Sequence, residues 1–150
     1  MFSGVIEGFY GKTWTWAERR YLLDFLQQEG FSHYIYAPKA DRYLRNDWQH
    51  NWPDDQFAAL LALSQRAQQL GLQFGVGLSP ISLVDNWNAE QRLLLQQRLQ
   101  QIAQLQPKTL AILFDDIKGD KAHLASRQVE IVLAIQAALP DTQLIMCPTY

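Results

Sequence analysis

Leu110-Ala111-Ile112-Leu113-Phe114-Asp115-Asp116-Ile117 sets five apolar residues directly before two adjacent carboxylates. An unbroken apolar run of this length is expected of a strand buried on both faces, which lacks the polar/apolar alternation of a half-exposed sheet. Similar runs stand at Gly4-Val5-Ile6, Tyr34-Ile35-Tyr36-Ala37, Phe74-Gly75-Val76-Gly77-Leu78 and Leu144-Ile145-Met146-Cys147. Helical patterns separate them. The first spans about Trp16 to Glu29, with Ala17, Tyr21 and Phe25 four apart, and Thr15 with Glu18 fits a capping box. The second follows Pro53-Asp54-Asp55, carries Phe57, Leu60, Leu61 and Ala67, and has Gly71 as its stop. The third begins near Asn88, with Gln91 three residues on, carries Leu95, Leu99, Ile102 and Ala103, and is closed by Pro107. The fourth carries Val129, Val132, Ile135 and Leu139 before Pro140.

The order βαβαβαβαβ implies an α/β fold with a parallel sheet and right-handed crossovers. Two architectures share that order, an open doubly wound sheet and part of a (β/α)8 barrel. A complete barrel takes about 250 residues. This chain has 150, enough for four βα units and a fifth strand in a single domain.

Composition narrows the chemistry. The residues are 48% hydrophobic and 19% charged, enough apolar matter for a core. Thirteen basic against fifteen acidic side chains leave a net charge of −2, which does not suit binding to a nucleic-acid backbone. Cys147 is the single cysteine, so neither an intrachain disulfide nor a Cys-rich metal site can form. No apolar stretch reaches the roughly 18 residues of a membrane span. Met1 leads into Phe2-Ser3-Gly4-Val5-Ile6 without a positive leader or cleavage pattern, so a cytoplasmic chain, or one cut from a longer protein, is expected.

In either architecture ligands bind at the carboxyl ends of the strands. Those ends read Glu7-Gly8-Phe9-Tyr10-Gly11, Ala37-Pro38-Lys39-Ala40-Asp41, Leu78-Ser79-Pro80, Phe114-Asp115-Asp116-Ile117 and Cys147-Pro148-Thr149-Tyr150. Two buried ionised neighbours repel, so one carboxyl of the Asp115–Asp116 pair is expected to be pushed up and to stay protonated near neutral pH. That division suits an acid beside an anionic stabiliser; a helix cap or a solvated turn is the competing reading. Neighbours on a regular strand also point to opposite faces, so both can serve one site only where the strand ends. Lys39 can hold a ligand hydroxyl or balance the carboxylates, or be a surface lysine. Gly8 offers backbone that a ligand can approach, or is a turn glycine. Gly75-Val76-Gly77 lacks the remainder of a dinucleotide fingerprint, and Ser79 is not in a nucleophile elbow. His33, His50 and His123 lack metal-ligand spacing and are expected at the surface or at caps. Trp48 and Trp52 are a sugar-stacking platform or loop core.

Gly4 to Gly11, Tyr36-Ala37-Pro38-Lys39, Leu113 to Ile117 and Cys147-Pro148-Thr149 occur in an order and spacing that resemble the catalytic domain of glycoside hydrolase family 84, the O-GlcNAcase and bacterial β-N-acetylglucosaminidase family. The resemblance covers essentially all 150 residues. It implies a (β/α)8 barrel and retaining hydrolysis of terminal β-linked N-acetylglucosamine, in which the substrate's own acetamido oxygen attacks the anomeric carbon to give an oxazoline. Asp115 then resembles the carboxylate that orients the acetamido N–H, and Asp116 the general acid/base. Gly8 and Lys39 resemble groups that bind sugar hydroxyls, with Tyr10 close to that subsite. A GlcNAc-bearing glycan or glycoprotein is the implied substrate, and no metal or organic cofactor is implied. The chain departs from some relatives at Ala40, Ile81 and Tyr150, and the family's further sugar ligands lie in the second half of the barrel. Three forms follow: the first half of an active glycosidase; a half-barrel that binds sugar without turnover; or a half-barrel that self-associates through its exposed sheet edges.

Overall fold

The computed structural model describes residues 2–120 and 122–149. Tyr150, at the end of the fifth strand's run, lies outside them. The strands are β1 (Gly4–Glu7), β2 (His33–Tyr36), β3 (Gln73–Leu78), β4 (Thr109–Leu113) and β5 (Gln143–Cys147). The helices are α1 (Trp16–Gln28), α2 (Asp54–Gln69), α3 (Ala89–Gln104) and α4 (Leu124–Ala138), with a short 3₁₀ turn at Arg42–Leu44. All neighbouring strands are parallel, in the order β1-β2-β3-β4-β5.

That order separates the two candidate architectures. A doubly wound sheet reverses its strand order and carries helices on both faces. Here the order is sequential and one apolar cluster holds residues of all four helices: Leu23, Leu60, Leu99 and Ile135 join Tyr34, Phe74, Leu110 and Ile112. The opposite face is thin, made of Ile35, Ala37, Ala111, Leu113 and Ile145. Helices on one face and small inward residues on the other are the plan of a (β/α)8 barrel. A Cβ on Gly77 would lie 2.5 Å from the Ala37 Cβ, so neighbouring strands close in here because glycine lacks that atom.

Local signals explain the helix ends. Thr15 Oγ1 accepts from the Glu18 N–H, and the Glu18 carboxylate accepts from the Thr15 N–H, a pairing worth about 1 kcal/mol. Asn88 Oδ1 accepts from the Gln91 N–H at the start of α3. Gly71, with φ +74°, takes the left-handed turn after α2.

The buried face of α1 differs from the expected one. Tyr21 and Phe25 are exposed, and Arg19, Leu23 and Leu26 point inward. The burial of a charge explains why spacing alone misplaced the face: Arg19 Nη2 meets Glu7 Oε1 at 2.7 Å, and the guanidinium lies over Trp16 at 4.6 Å. The Tyr34 hydroxyl also donates to Glu7. Val129 on α4 is likewise exposed. His33 is buried within β2, against the surface position expected, with Nδ1 2.6 Å from Ser32 Oγ. His50 is exposed, and His123 occupies the cap position before α4. Among the described residues no helix is long and apolar enough to cross a membrane.

Glu7→Gln leaves the Arg19 charge uncompensated inside the protein. A loss of about 3–5 kcal/mol is expected, measured as the change in urea unfolding free energy.

Candidate active site

The β4 strand ends at Leu113, and Asp115 and Asp116 occupy the turn that follows. The strand geometry that would separate neighbouring side chains therefore no longer applies. Backbone bonds hold the turn: the Phe114 N–H donates to the Cys147 carbonyl at 2.8 Å, and the Ile117 N–H to the Phe114 carbonyl at 3.1 Å. Thr149 Oγ1 donates to the same carbonyl at 2.8 Å and accepts from Gln128 Nε2 at 2.7 Å. The ends of β4, β5 and helix α4 are thus locked together directly behind the carboxylates.

Lys39 reaches the pair from the end of β2. Its Nζ is 3.2 Å from Asp115 Oδ2 and 2.9 Å from Asp116 Oδ2, and its side chain is only 7% exposed. From the end of β1, the Tyr10 hydroxyl donates to Asp116 Oδ1 at 3.1 Å. Gly8 lies on the same segment as Tyr10, its N–H bonded to the Ile6 carbonyl at 2.8 Å. A Cβ there would meet only Ile6 Cγ2, at 3.5 Å, so the face of Gly8 is open. The structure gathers Asp115, Asp116, Lys39 and Tyr10 by direct contact and places Gly8 two residues before Tyr10.

One carboxyl was expected to be pushed up; the structure corrects this for Asp116. Partial burial raises its pKa, but the Lys39 ammonium, the Tyr10 hydroxyl and the Arg45 guanidinium outweigh burial and hold the carboxyl below its ordinary value. Lys39, shared with Asp115, and Arg45 supply the cations that offset the Asp116 charge. The same carboxylates raise the Lys39 pKa against its desolvation. Among the described residues, Asp115 Oδ1 is buried without a hydrogen-bond partner.

Two residues that the motifs did not single out complete the site. Arg45 Nη2 donates to Asp116 Oδ2 at 2.8 Å. Asp41 organises the connection that carries Lys39 and Arg45. Its carboxylate accepts from Tyr36 Oη at 2.8 Å, Trp52 Nε1 at 2.9 Å, Gln56 Nε2 at 2.8 Å and the Tyr43 N–H at 3.0 Å. Trp48 and Trp52 are 0% and 2% exposed, so they are loop core and not a sugar platform. Arg98 of α3 stacks on Trp52 at 3.6 Å and donates to the Tyr43 carbonyl at 3.0 Å. The visible signal was a charged, aromatic connection too long to stay ordered without buried polar anchors.

Comparisons with known proteins give the family. Residues 3–150 match the family described as beta-N-acetylglucosaminidase. The chain belongs to this family. It is 32% identical over 156 aligned positions to the Protein O-GlcNAcase of Rattus norvegicus and of Mus musculus, covering 97% of this chain and 17% of each relative. A solved mutant of Thermobaculum terrenum O-GlcNAc hydrolase superposes with a TM-score of 0.92 at 29% identity, covering 99% of this chain and 35% of that one. The chain thus spans about a sixth of these curated relatives and about a third of that structure. Among the described residues of this β-N-acetylglucosaminidase family member, no three His, Cys, Asp or Glu side chains are grouped to hold a metal.

Because the folded-state pKa of Asp116 lies below its ordinary value, its ion pairs stabilise the fold fully above the unfolded-state value. That stability drains as pH falls through the lowered value. Thermal midpoints taken between about pH 5 and pH 2 are expected to fall less steeply in Asp116→Asn than in the parent chain.

Proposed function

We propose that these residues form one wall of the site of a retaining β-N-acetylglucosaminidase acting on terminal β-linked GlcNAc by substrate assistance. The observation that carries the reading is the orphaned Asp115 Oδ1. It is a buried acceptor whose partner oxygen is already engaged by Lys39. A donor such as an acetamido N–H satisfies it, and an N–H so held turns the acetamido oxygen toward the anomeric carbon. That oxygen attacks, the glycosidic bond breaks, and an oxazoline forms in its protonated state, the N–H still held by Asp115. Asp116, protonated once substrate occupies the site, delivers its proton to the leaving oxygen. Its carboxylate then takes a proton from water as that water opens the oxazoline, so configuration is retained. Lys39 and the open face of Gly8 bind sugar hydroxyls, and Tyr10 borders the same subsite.

The resting ion pairs fit a group that must cycle between both states. Lys39 and Arg45 stabilise the Asp116 carboxylate left after proton donation. Sugar hydroxyls compete for Lys39 on binding, which relaxes its hold on Asp116 and favours the protonated form.

The test is hydrolysis of an aryl β-N-acetylglucosaminide, with Asp115→Asn and Asp116→Asn beside the parent. Each variant is expected to lose about 10²-fold or more in kcat/KM, and Asp116→Asn to lose less on aryl groups that leave without a proton. Titration with a stable mimic of the oxazoline, followed by NMR, is expected to shift Gly8, Lys39 and Asp115, and not to do so in Asp115→Asn. Hydrolysis or binding indifferent to both substitutions overturns the reading.

A second reading rests on the open sheet. Among the described residues β1 and β5 each pair with a single strand, and Phe2, Ile6 and Met146 beside them are exposed. Such edges invite pairing between copies. Sedimentation is expected to show association that grows with concentration in the range of about 10 μM and above.

A further inference from the structure

Asp115 and Asp116 differ in their cations. Lys39 is shared between them, with its Nζ on one oxygen of each. Of the two aspartates, Arg45 pairs with Asp116. Its Nη1 donates to the Lys39 carbonyl at 3.1 Å, so the guanidinium is braced on the backbone of the residue that carries the shared ammonium. Nη2 donates to Asp116 Oδ2 at 2.8 Å and lies 3.4 Å from the Tyr10 hydroxyl. The guanidinium carbon sits 5.5 Å from the centre of the Tyr10 ring, and the side chain is 18% exposed. A planar fork fixed at two points cannot follow a moving carboxylate as a lysine can.

We infer that Arg45 is a positioning residue for Asp116: its braced guanidinium fixes the Asp116 carboxyl between the β1, β2 and β4 connections and gives its ionised form a second cation in addition to the shared Lys39. Two adjacent aspartates on one turn, served only by a shared ammonium, would compete for the same charge. A second cation committed to one of them breaks that symmetry. When Asp116 gives its proton to the leaving oxygen, the negative charge left behind already has its partner in place. That use rests on the glycosidase reading above; the hold on the carboxyl does not.

The groups facing Asp116 are Lys39 and Arg45 from the β2–α2 connection, Tyr10 from the β1–α1 connection and Asp115 on its own turn. The experiment is an NMR titration of the aspartate side-chain carboxyl carbons in the 150-residue chain without sugar. Arg45→Gln is expected to raise the Asp116 midpoint by about one pH unit or more, a tenfold change in its acid constant, and to move that of Asp115 less. In the parent chain the Arg45 guanidinium nitrogens are expected to shift with the Asp116 midpoint, and Asp116→Asn to abolish that response. An unchanged midpoint in folded Arg45→Gln overturns the inference. So do Arg45 signals in the parent chain that ignore the titration, a result that decides the matter even where Arg45→Gln does not fold. Because no substrate is present, a failed titration and a failed hydrolysis assay are separate results.

Discussion

The Lys39 ammonium stands between the oxygens of two adjacent carboxylates, 3.2 Å from Asp115 and 2.9 Å from Asp116. Neighbouring anions on one turn repel strongly once water is partly removed. Without a cation at this point, one aspartate would turn outward or take up a proton. With it, both remain pointed at the same space at the carboxyl ends of the strands. The position of Lys39 thereby couples β2 to β4, strands not adjacent in the sheet, through charge.

The scaffold is stiff where that coupling needs it. The connection after β2 is held from within by Asp41, which accepts from Tyr36, Trp52, Gln56 and the Tyr43 backbone. Arg98 covers Trp52 from α3. The turn after β4 is tied to β5 and α4 through Thr149. The Asp41 carboxylate is buried with both oxygens bonded, which gives its loop one geometry where apolar packing alone would allow several. Glu7 is the contrasting case. It stands at the end of β1, yet its carboxylate turns into the helix layer to meet Arg19 and Tyr34. It therefore braces the strand from behind while Tyr10 reaches Asp116.

Much of this was legible in the sequence. Continuous apolar runs and capping residues marked the strands and the helix starts, since burial on both faces removes polar alternation and free N–H groups demand acceptors. Residues just beyond the β1, β2 and β4 runs marked the candidate site, since parallel sheets present their carboxyl ends to ligands. Less visible were the side chains that act through others. Arg45 and Asp41 lie in an irregular connection, where no period relates position to direction. The inward face of α1 was hidden for a related reason: a charged Arg19 is buried there because Glu7 neutralises it, while Tyr21 and Phe25 are exposed.

The sequence by itself determined the alternation of elements, the parallel pairing it implies and the chemical types gathered at the strand ends, because those follow from local patterns of polarity. Tertiary structure showed the sequential strand order with helices on one face, the barrel plan that element order left open and the family resemblance implied. It also decided the direction in which the Asp116 pKa moves. A pKa answers to distances in space, and the cations that lower this one come from a segment more than seventy residues away along the chain.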